Sequence, residues 1–299
     1  MALPNASPEH KMLLLGTAMW GWSIDRLTAY QILENYLIQG GIVIDTALNY
    51  PINNKRNDYG LALKWISDWL KVNGTKELKV LVKIGAIDNT GGDEIELNPE
   101  SIKKSEEYLR EKLDNTLSAI CIHWDNRGDN NNDIKMIADT IKAMIQLQMQ
   151  GLSIGFSGVK RPDLYLNFSH QYSEEWWIQV KENAATNSAR LKYEKYFPKS
   201  KYLVYGINMG GVKLEPPNEK SSLTLRGIKY NQSIVKQLSS YLENNNYNNC
   251  PPTNLNELAL LQSYFNEKIC GIIIGPRTID QLNNSLYYWN NLLSNPTAL

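Results

Sequence analysis

The chain has 299 residues, 42% of them hydrophobic and 21% charged, with 31 Lys and Arg against 31 Asp and Glu. That length and apolar content can bury a large core and suit one α/β domain over residues 1–299, while zero net charge offers no overall field for nucleic acid or an anionic membrane surface. No 18-residue apolar run or cleavable leader is recognisable, and Cys121, Cys250 and Cys270 have neither an even count nor metal-type spacing, so we expect a cytoplasmic protein with no metal, no membrane contact and a small ligand.

After a polar lead, Met12–Ala18 reads as a strand running into Trp20-Gly-Trp22, and Leu27–Gln39 has helical spacing that stops at Gly40-Gly41. Ile42 to Asp45 is a β-branched run ending in an acid, with Tyr50 following a polar turn. A helix over 58–72 leads to a strand Leu78–Lys83, and a helix over 99–113 to a strand Leu117–His123. Further on, a helix over 133–149 precedes the strand Gly151–Ser157, and a helix from Pro162 precedes Trp176–Val180. Adjacent in a strand, Trp176 and Trp177 point to opposite faces, one into the barrel and one toward its helices.

Tyr202–Ile207 is the seventh strand. The interval from Met209 to Asn254 reads as an insertion with its own helix over 228–242 and a mobile asparagine-rich run, Glu243 to Asn249. A helix over 255–265, a strand Gly271–Gly275 and a helix over 278–293 complete eight units. Eight alternating units predict a (β/α)8 TIM barrel, a single domain with a long insertion after strand seven.

Such barrels keep their chemistry at the carboxyl ends of the strands, where Asp45, Lys83, His123, Ser157 and Gln179 fall. Each has a bland reading alone, as cap, rim lysine or satisfied core polar group. Together with Tyr50 they suit proton transfer: Tyr50 as general acid, Lys83 as the cation that stabilises its ionised form, and Asp45 as the group that keeps Lys83 charged. His123 would orient a substrate carbonyl and donate a hydrogen bond to it.

Taken in order, Gly16-Thr-Ala-Met-Trp-Gly21, Asp45-Thr-Ala-Leu-Asn-Tyr50, Lys83, Ile122-His-Trp124, Ile154-Gly-Phe-Ser157, Ile178-Gln-Val180 and Ile274-Gly-Pro-Arg-Thr278 resemble the aldo-keto reductase family across nearly the whole chain. The resemblance implies an NADP(H)-dependent carbonyl reductase with Asp45, Tyr50, Lys83 and His123 as its catalytic tetrad. It places Ser157 and Gln179 at the nicotinamide carboxamide, Thr17 beside the cofactor, Arg277 and Thr278 at the adenosine 2′-phosphate, and Trp20 and Trp124 in the substrate mouth. Trp22 would line that mouth too, and Asp125 and Asn126 could hydrogen-bond substrate hydroxyls.

The chain also departs from the family pattern. Gly158 stands for an Asn, Asp125 for a Pro, Ser285 for an Asn near adenine, and Gly206 where an aromatic ring often stacks on nicotinamide. Those glycines open an alternative on the same barrel, cofactor-independent acid/base chemistry such as dehydration, epimerisation or cyclisation; a third reading is a regulatory subunit that binds NADPH without turnover, as similar barrels can be. Substrate identity and oligomeric state have no reading in the sequence.

Overall fold

A computed structural model describes residues 2–4, 6–7, 10–74, 77–209, 219, 224, 227, 231–243 and 250–295. Eight short strands, β1 (Met12–Gly16), β2 (Val43–Ala47), β3 (Lys79–Ile84), β4 (Leu117–Asp125), β5 (Ser153–Val159), β6 (Trp177–Lys181), β7 (Lys201–Tyr205) and β8 (Ile269–Ile274), pair in chain order. Every pairing is parallel, and β1 meets β8 to close the barrel. The expected (β/α)8 architecture is the one observed.

Helices α1 (Arg26–Ile38), α2 (Leu61–Asn73), α3 (Pro99–Leu113), α4 (Asn131–Met149), α5 (Pro162–Ser169), α6 (Ser188–Glu194), α7 (Gln232–Glu243), α8 (Leu255–Tyr264) and α9 (Ile279–Ser294) complete the described elements. Five of the nine starts are marked by side-chain oxygens. Asp25, Asn98, Asn130, Asn254 and Thr278 each accept a backbone N–H of the first turn, satisfying donors that the helix leaves without a partner. The short helix α6 has no counterpart in the sequence reading, because seven residues are too few to display a period. Within the expected insertion α7 is present; residues 228–230 of the expected helix and most of the asparagine run, 244–249, lie outside the described residues.

Alternation along the strands sorts the core into two layers. Leu14, Val43, Leu81, Ala119, Cys121, Trp177, Leu203 and Ile273 pack inside the barrel, with Leu3 and Ala6 of the lead among them. A larger cluster, including Leu13, Leu15, Ile44, Val82 and Ile122, fills the space under the helices. Trp176 joins that outer layer, edge-on to Phe156, and Trp177 the inner one.

On strand after strand the inward apolar residue is followed two positions later by a polar one: Val43 by Asp45, Leu81 by Lys83, Cys121 by His123, Trp177 by Gln179, Leu203 by Tyr205. The period of two thus places a polar ring on an apolar floor. For the same reason β2, β4 and β5 continue past their expected ends to Ala47, Asp125 and Val159. A lumen-facing polar residue does not stop a strand whose alternate positions remain apolar. Gly155 is required at the β5–β6 seam, where a Cβ would sit 1.8 Å from the Trp177 carbonyl oxygen.

Candidate active site

Above the polar ring opens a cavity of about 1060 Å³, large even for a small-molecule site. Asp45, Tyr50, Lys83 and His123 line its floor, joined by Ser157, Gly158 and Gln179. Register explains the assembly. Asp45 pairs with Leu81, so Lys83, two residues on, stands next along β3 on the same inward face.

Lys83 donates from Nζ to Asp45 Oδ2 at 2.5 Å, both side chains being almost fully enclosed. The second oxygen of Asp45, Oδ1, accepts Gln179 Nε2 at 2.7 Å. Burial alone would strip the Lys83 ammonium of its proton, but Asp45 and then Tyr50 outweigh it and hold the Lys83 pKa above the ordinary lysine value. Lys83 Nζ also lies 5.0 Å from the centre of the Tyr50 ring. Burial raises the Tyr50 pKa, and Lys83 works against that rise. The phenol therefore holds its proton at neutral pH with a cation placed to stabilise its loss.

His123 packs edge-on to Tyr50, with ring centroids 5.5 Å apart, and its Nδ1 meets Asn49 Oδ1 at 3.1 Å. Burial first, then Lys83, pushes its pKa well below the ordinary histidine value, so the imidazole is neutral. Asn49 is buried and donates its amide to the Asp88 carbonyl at 3.0 Å.

The remaining expected residues divide. Trp22, Trp124 and Arg277 line the cavity, and Arg277 shares its far wall with Gln281, Asn284 and Ser285 of α9. Thr278 is exposed and caps α9, its Oγ1 accepting Gln281 N. Thr17 is fully buried, its hydroxyl within hydrogen-bond distance of Thr46 Oγ1 at 2.8 Å and of the Asp45 carbonyl at 3.2 Å, and it is not part of the cavity wall. Trp20 is likewise sealed in the outer core. Both follow β1 where the chain turns back on itself, with Trp20 N bonded to the Thr17 carbonyl, and this turn carries their side chains away from the lumen.

Two expectations are corrected. The end of β7 does offer an aromatic ring, because Tyr205 lines the cavity one residue before Gly206. Asp125 and Asn126 do not line the cavity: Asp125 is buried against Arg127 and Tyr165, and Asn126, exposed, donates its amide to the Asp93 carbonyl. Asn49, Asn208, Asn254 and Asn256 were not singled out in the sequence, and the last three line the cavity. Asn208 Nδ2 donates to Asn256 Oδ1 at 2.6 Å and Asn256 Nδ2 to Ser285 Oγ at 3.0 Å, a chain linking the β7 end to α8 and α9. Only Tyr205 had a legible signal, two residues after the inward Leu203.

Residues 12–195, from β1 through α6, match the model of the aldo/keto reductase family. The chain belongs to that family. As an aldo/keto reductase it is an oxidoreductase by family, and the matched segment carries all four floor residues, while Arg277 lies beyond it. Among solved structures it is similar to an aldo-keto reductase from Bacillus halodurans in its holo form, at 20% identity and a TM-score of 0.67, covering 93% of this chain and 86% of that one. A glycerol dehydrogenase from Gluconobacter oxydans is similar at 14% identity and the same TM-score of 0.67, covering 98% of this chain and 94% of that one. At such identities the likeness speaks to fold. A comparison with curated protein sequences finds no match. Among the described residues no helix is long and apolar enough to cross a membrane, and no group of His, Cys, Asp and Glu is arranged to hold a metal.

Proposed function

We propose that this aldo/keto reductase is an NADP(H)-dependent carbonyl reductase, acting in the cytoplasm, with Tyr50 as general acid. The observation that carries the reading is Lys83, held by Asp45 at 2.5 Å and set 5.0 Å from the Tyr50 ring at the floor of the cavity. The wall suits a dinucleotide: a guanidinium at Arg277 for a phosphate, amides at Asn208, Asn256 and Asn284, a hydroxyl at Ser157, and an aromatic ring at Tyr205. When bound, NADP(H) supplies or takes up a hydride at the carbonyl carbon. Tyr50 gives its hydroxyl proton to the carbonyl oxygen, Lys83 stabilises the tyrosinate left behind, and solvent returns the proton. Asp45 keeps Lys83 charged throughout, and Gln179 fixes the carboxylate that does so. Trp22 and Trp124 enclose the substrate end.

The cofactor-independent alternative rested on Gly206 and Gly158. Tyr205 removes the first ground, and a Cβ at Gly158 would meet only ordinary contacts with Trp124 and His123, 3.5 Å and 3.6 Å away, so the missing amide there is an open space. Titration of the purified protein with NADPH and with NADH, followed by tryptophan fluorescence, tests the reading. Tighter NADPH binding, with Arg277→Ala weakening NADPH far more than NADH, is the expected result. No binding of either nucleotide to folded protein would end the reductase proposal, and equal losses would remove Arg277 from the phosphate.

A further inference from the structure

Asp45, Lys83 and His123 stand on strands whose register fixes them, but β2 ends at Ala47 and Tyr50 rides on the loop that follows. Its place beside Lys83 is set by the neighbouring chain. On one side of Tyr50, Leu48 N donates to the Lys83 carbonyl at 2.9 Å. On the other, the Pro51 carbonyl accepts Asn89 Nδ2 at 3.1 Å. The same nitrogen lies 2.7 Å from the Lys55 carbonyl and 3.2 Å from Asn53 Oδ1, and the Asn89 carbonyl accepts Asn54 N at 3.1 Å. Backbone carbonyls can only accept, so the nitrogen of this amide must face Pro51 and Lys55 whichever way an amide is drawn. Asn89 is fully buried on the segment that follows β3, the strand of Lys83. One short stretch of chain therefore carries the cation and holds the phenol from both flanks.

We propose that Asn89 is a positioning residue for the acid: by tying the 51–55 loop to the segment after β3, it keeps the Tyr50 hydroxyl in place for proton transfer beside Lys83. The inference rests on the carbonyl-reductase reading, in which Tyr50 gives a proton and Lys83 stabilises what remains. The backbone of Tyr50 is itself loosely held, with its N–H 3.3 Å from the Ala47 carbonyl and its carbonyl 3.2 Å from Ala62 N. Asn89 supplies the missing stiffness. It does not line the cavity, so its loss reaches the chemistry through the loop and not through a contact with substrate or cofactor. A reacting group misplaced by about 1 Å can cost about 10²-fold in rate even when the substitution is remote.

Asn89→Ala is tested with NADPH and three aldehydes, 4-nitrobenzaldehyde, butanal and glyceraldehyde. Per folded molecule, kcat should fall by about 10–100-fold, while NADPH binds as before, because Tyr205, Asn208 and Arg277 are not on this loop. The solvent deuterium isotope effect on kcat should rise, since a displaced donor makes proton transfer the slow step. Asn89→Ser, which keeps one donor, should fall between the two proteins. Tyr59→Phe breaks another bond between the same two loops, from the Tyr59 hydroxyl to the Ala86 carbonyl at 3.0 Å, and should change neither kcat nor the isotope effect. Unaltered kcat and isotope effect in folded Asn89→Ala or Asn89→Ser would overturn the positioning role. The tie itself is read without substrate by hydrogen exchange at the Asn54 amide, which should be protected in the unsubstituted protein and lose protection in Asn89→Ala. An unprotected Asn54 amide in the unsubstituted protein, which needs no variant to fold, overturns the tie. If the unsubstituted protein reduces none of the three aldehydes, the reductase reading falls and the positioning role with it, and hydrogen exchange still decides whether Asn89 holds the loop.

Discussion

At the ends of β2 and β3, Asp45 pairs with Lys83 beside Tyr50; at the end of β4, Asp125 pairs with Arg127 beside Tyr165. The ingredients are the same, a buried carboxylate, a cation and a phenol. In the second set Arg127 grips Asp125 with Nε to Oδ1 at 2.9 Å and Nη2 to Oδ2 at 2.7 Å, its backbone N–H adds a bond to Oδ1 at 3.1 Å, and Tyr165 donates to Oδ2 at 2.7 Å. Four bonds fill the lone-pair sites of the carboxylate. Tyr165 has spent its proton on Asp125, and burial first, then that carboxylate, drives its pKa well above the ordinary value.

In the first set the cation touches the acid and stands beside the phenol. Among the described residues the Asp45 carboxylate accepts from Lys83 and Gln179. Lys83 brings three donors on a point charge instead of a planar fork, so holding Asp45 does not exhaust it. The phenol that meets a carboxylate is locked in its protonated form, whereas the phenol that meets an ammonium can give its proton away. One set is a clamp for the β4–α4 turn, and the other is poised.

The largest effect expected from this contrast is at Lys83. Lys83→Met should lower carbonyl reduction by about 10²–10⁴-fold and, by leaving Asp45 buried without its cation, cost about 3–5 kcal/mol of stability. NADPH consumption and urea unfolding measure the two losses. Turnover close to that of the unsubstituted protein would break the poised half of the comparison.

Arg127→Met should cost a similar 3–5 kcal/mol or so, because Asp125 loses its partner in the same way. Turnover per folded molecule should be unchanged. A matching loss of activity would mean that the clamp belongs to the chemistry. Tyr165→Phe is milder, at about 1–3 kcal/mol, and should leave the pH dependence of turnover where it was.

The barrel was legible because its signal is repeated: strands of alternating apolar residues, caps of Asp, Asn and Thr, and eight returns of the same unit. The floor of the site was legible for the same reason, since Asp45, Lys83 and His123 each end an apolar run at a regular interval, and Gln179 interrupts another. Asp125 shows the limit. Its place after Trp124 at a strand end suggested a substrate contact, and nothing in the order of residues announces that Arg127, two positions on, folds back over it or that Tyr165 reaches it from α5. The burial of Trp20 and Thr17 was no more legible, since a turn can swing a side chain into the core without any change in composition. Asn49 carried no signal at all, because a buried amide is defined by its partners, Asp88 and His123, which are distant in sequence.

The smallest expected effect separates the two sets by titration. Burial, and then Lys83, depresses the His123 pKa, so the folded protein keeps this ring neutral where an unfolded histidine becomes protonated, near pH 6.5. Below that pH the unfolded state binds more protons than the folded one, and stability falls as pH falls toward the depressed value, with a slope of at most about 1.4 kcal/mol per pH unit. Above pH 6.5 the contribution is fully present. Arg127 and Tyr165 add nothing in this window, because their pKa values are both raised and lie far above neutrality. Urea unfolding at pH 5 and pH 7 should therefore show a steeper loss in the unsubstituted protein than in His123→Gln, and Tyr165→Phe should keep the steeper slope. Equal slopes for the first pair would mean that His123 is protonated in the folded protein, against the burial and the Lys83 charge that depress its pKa.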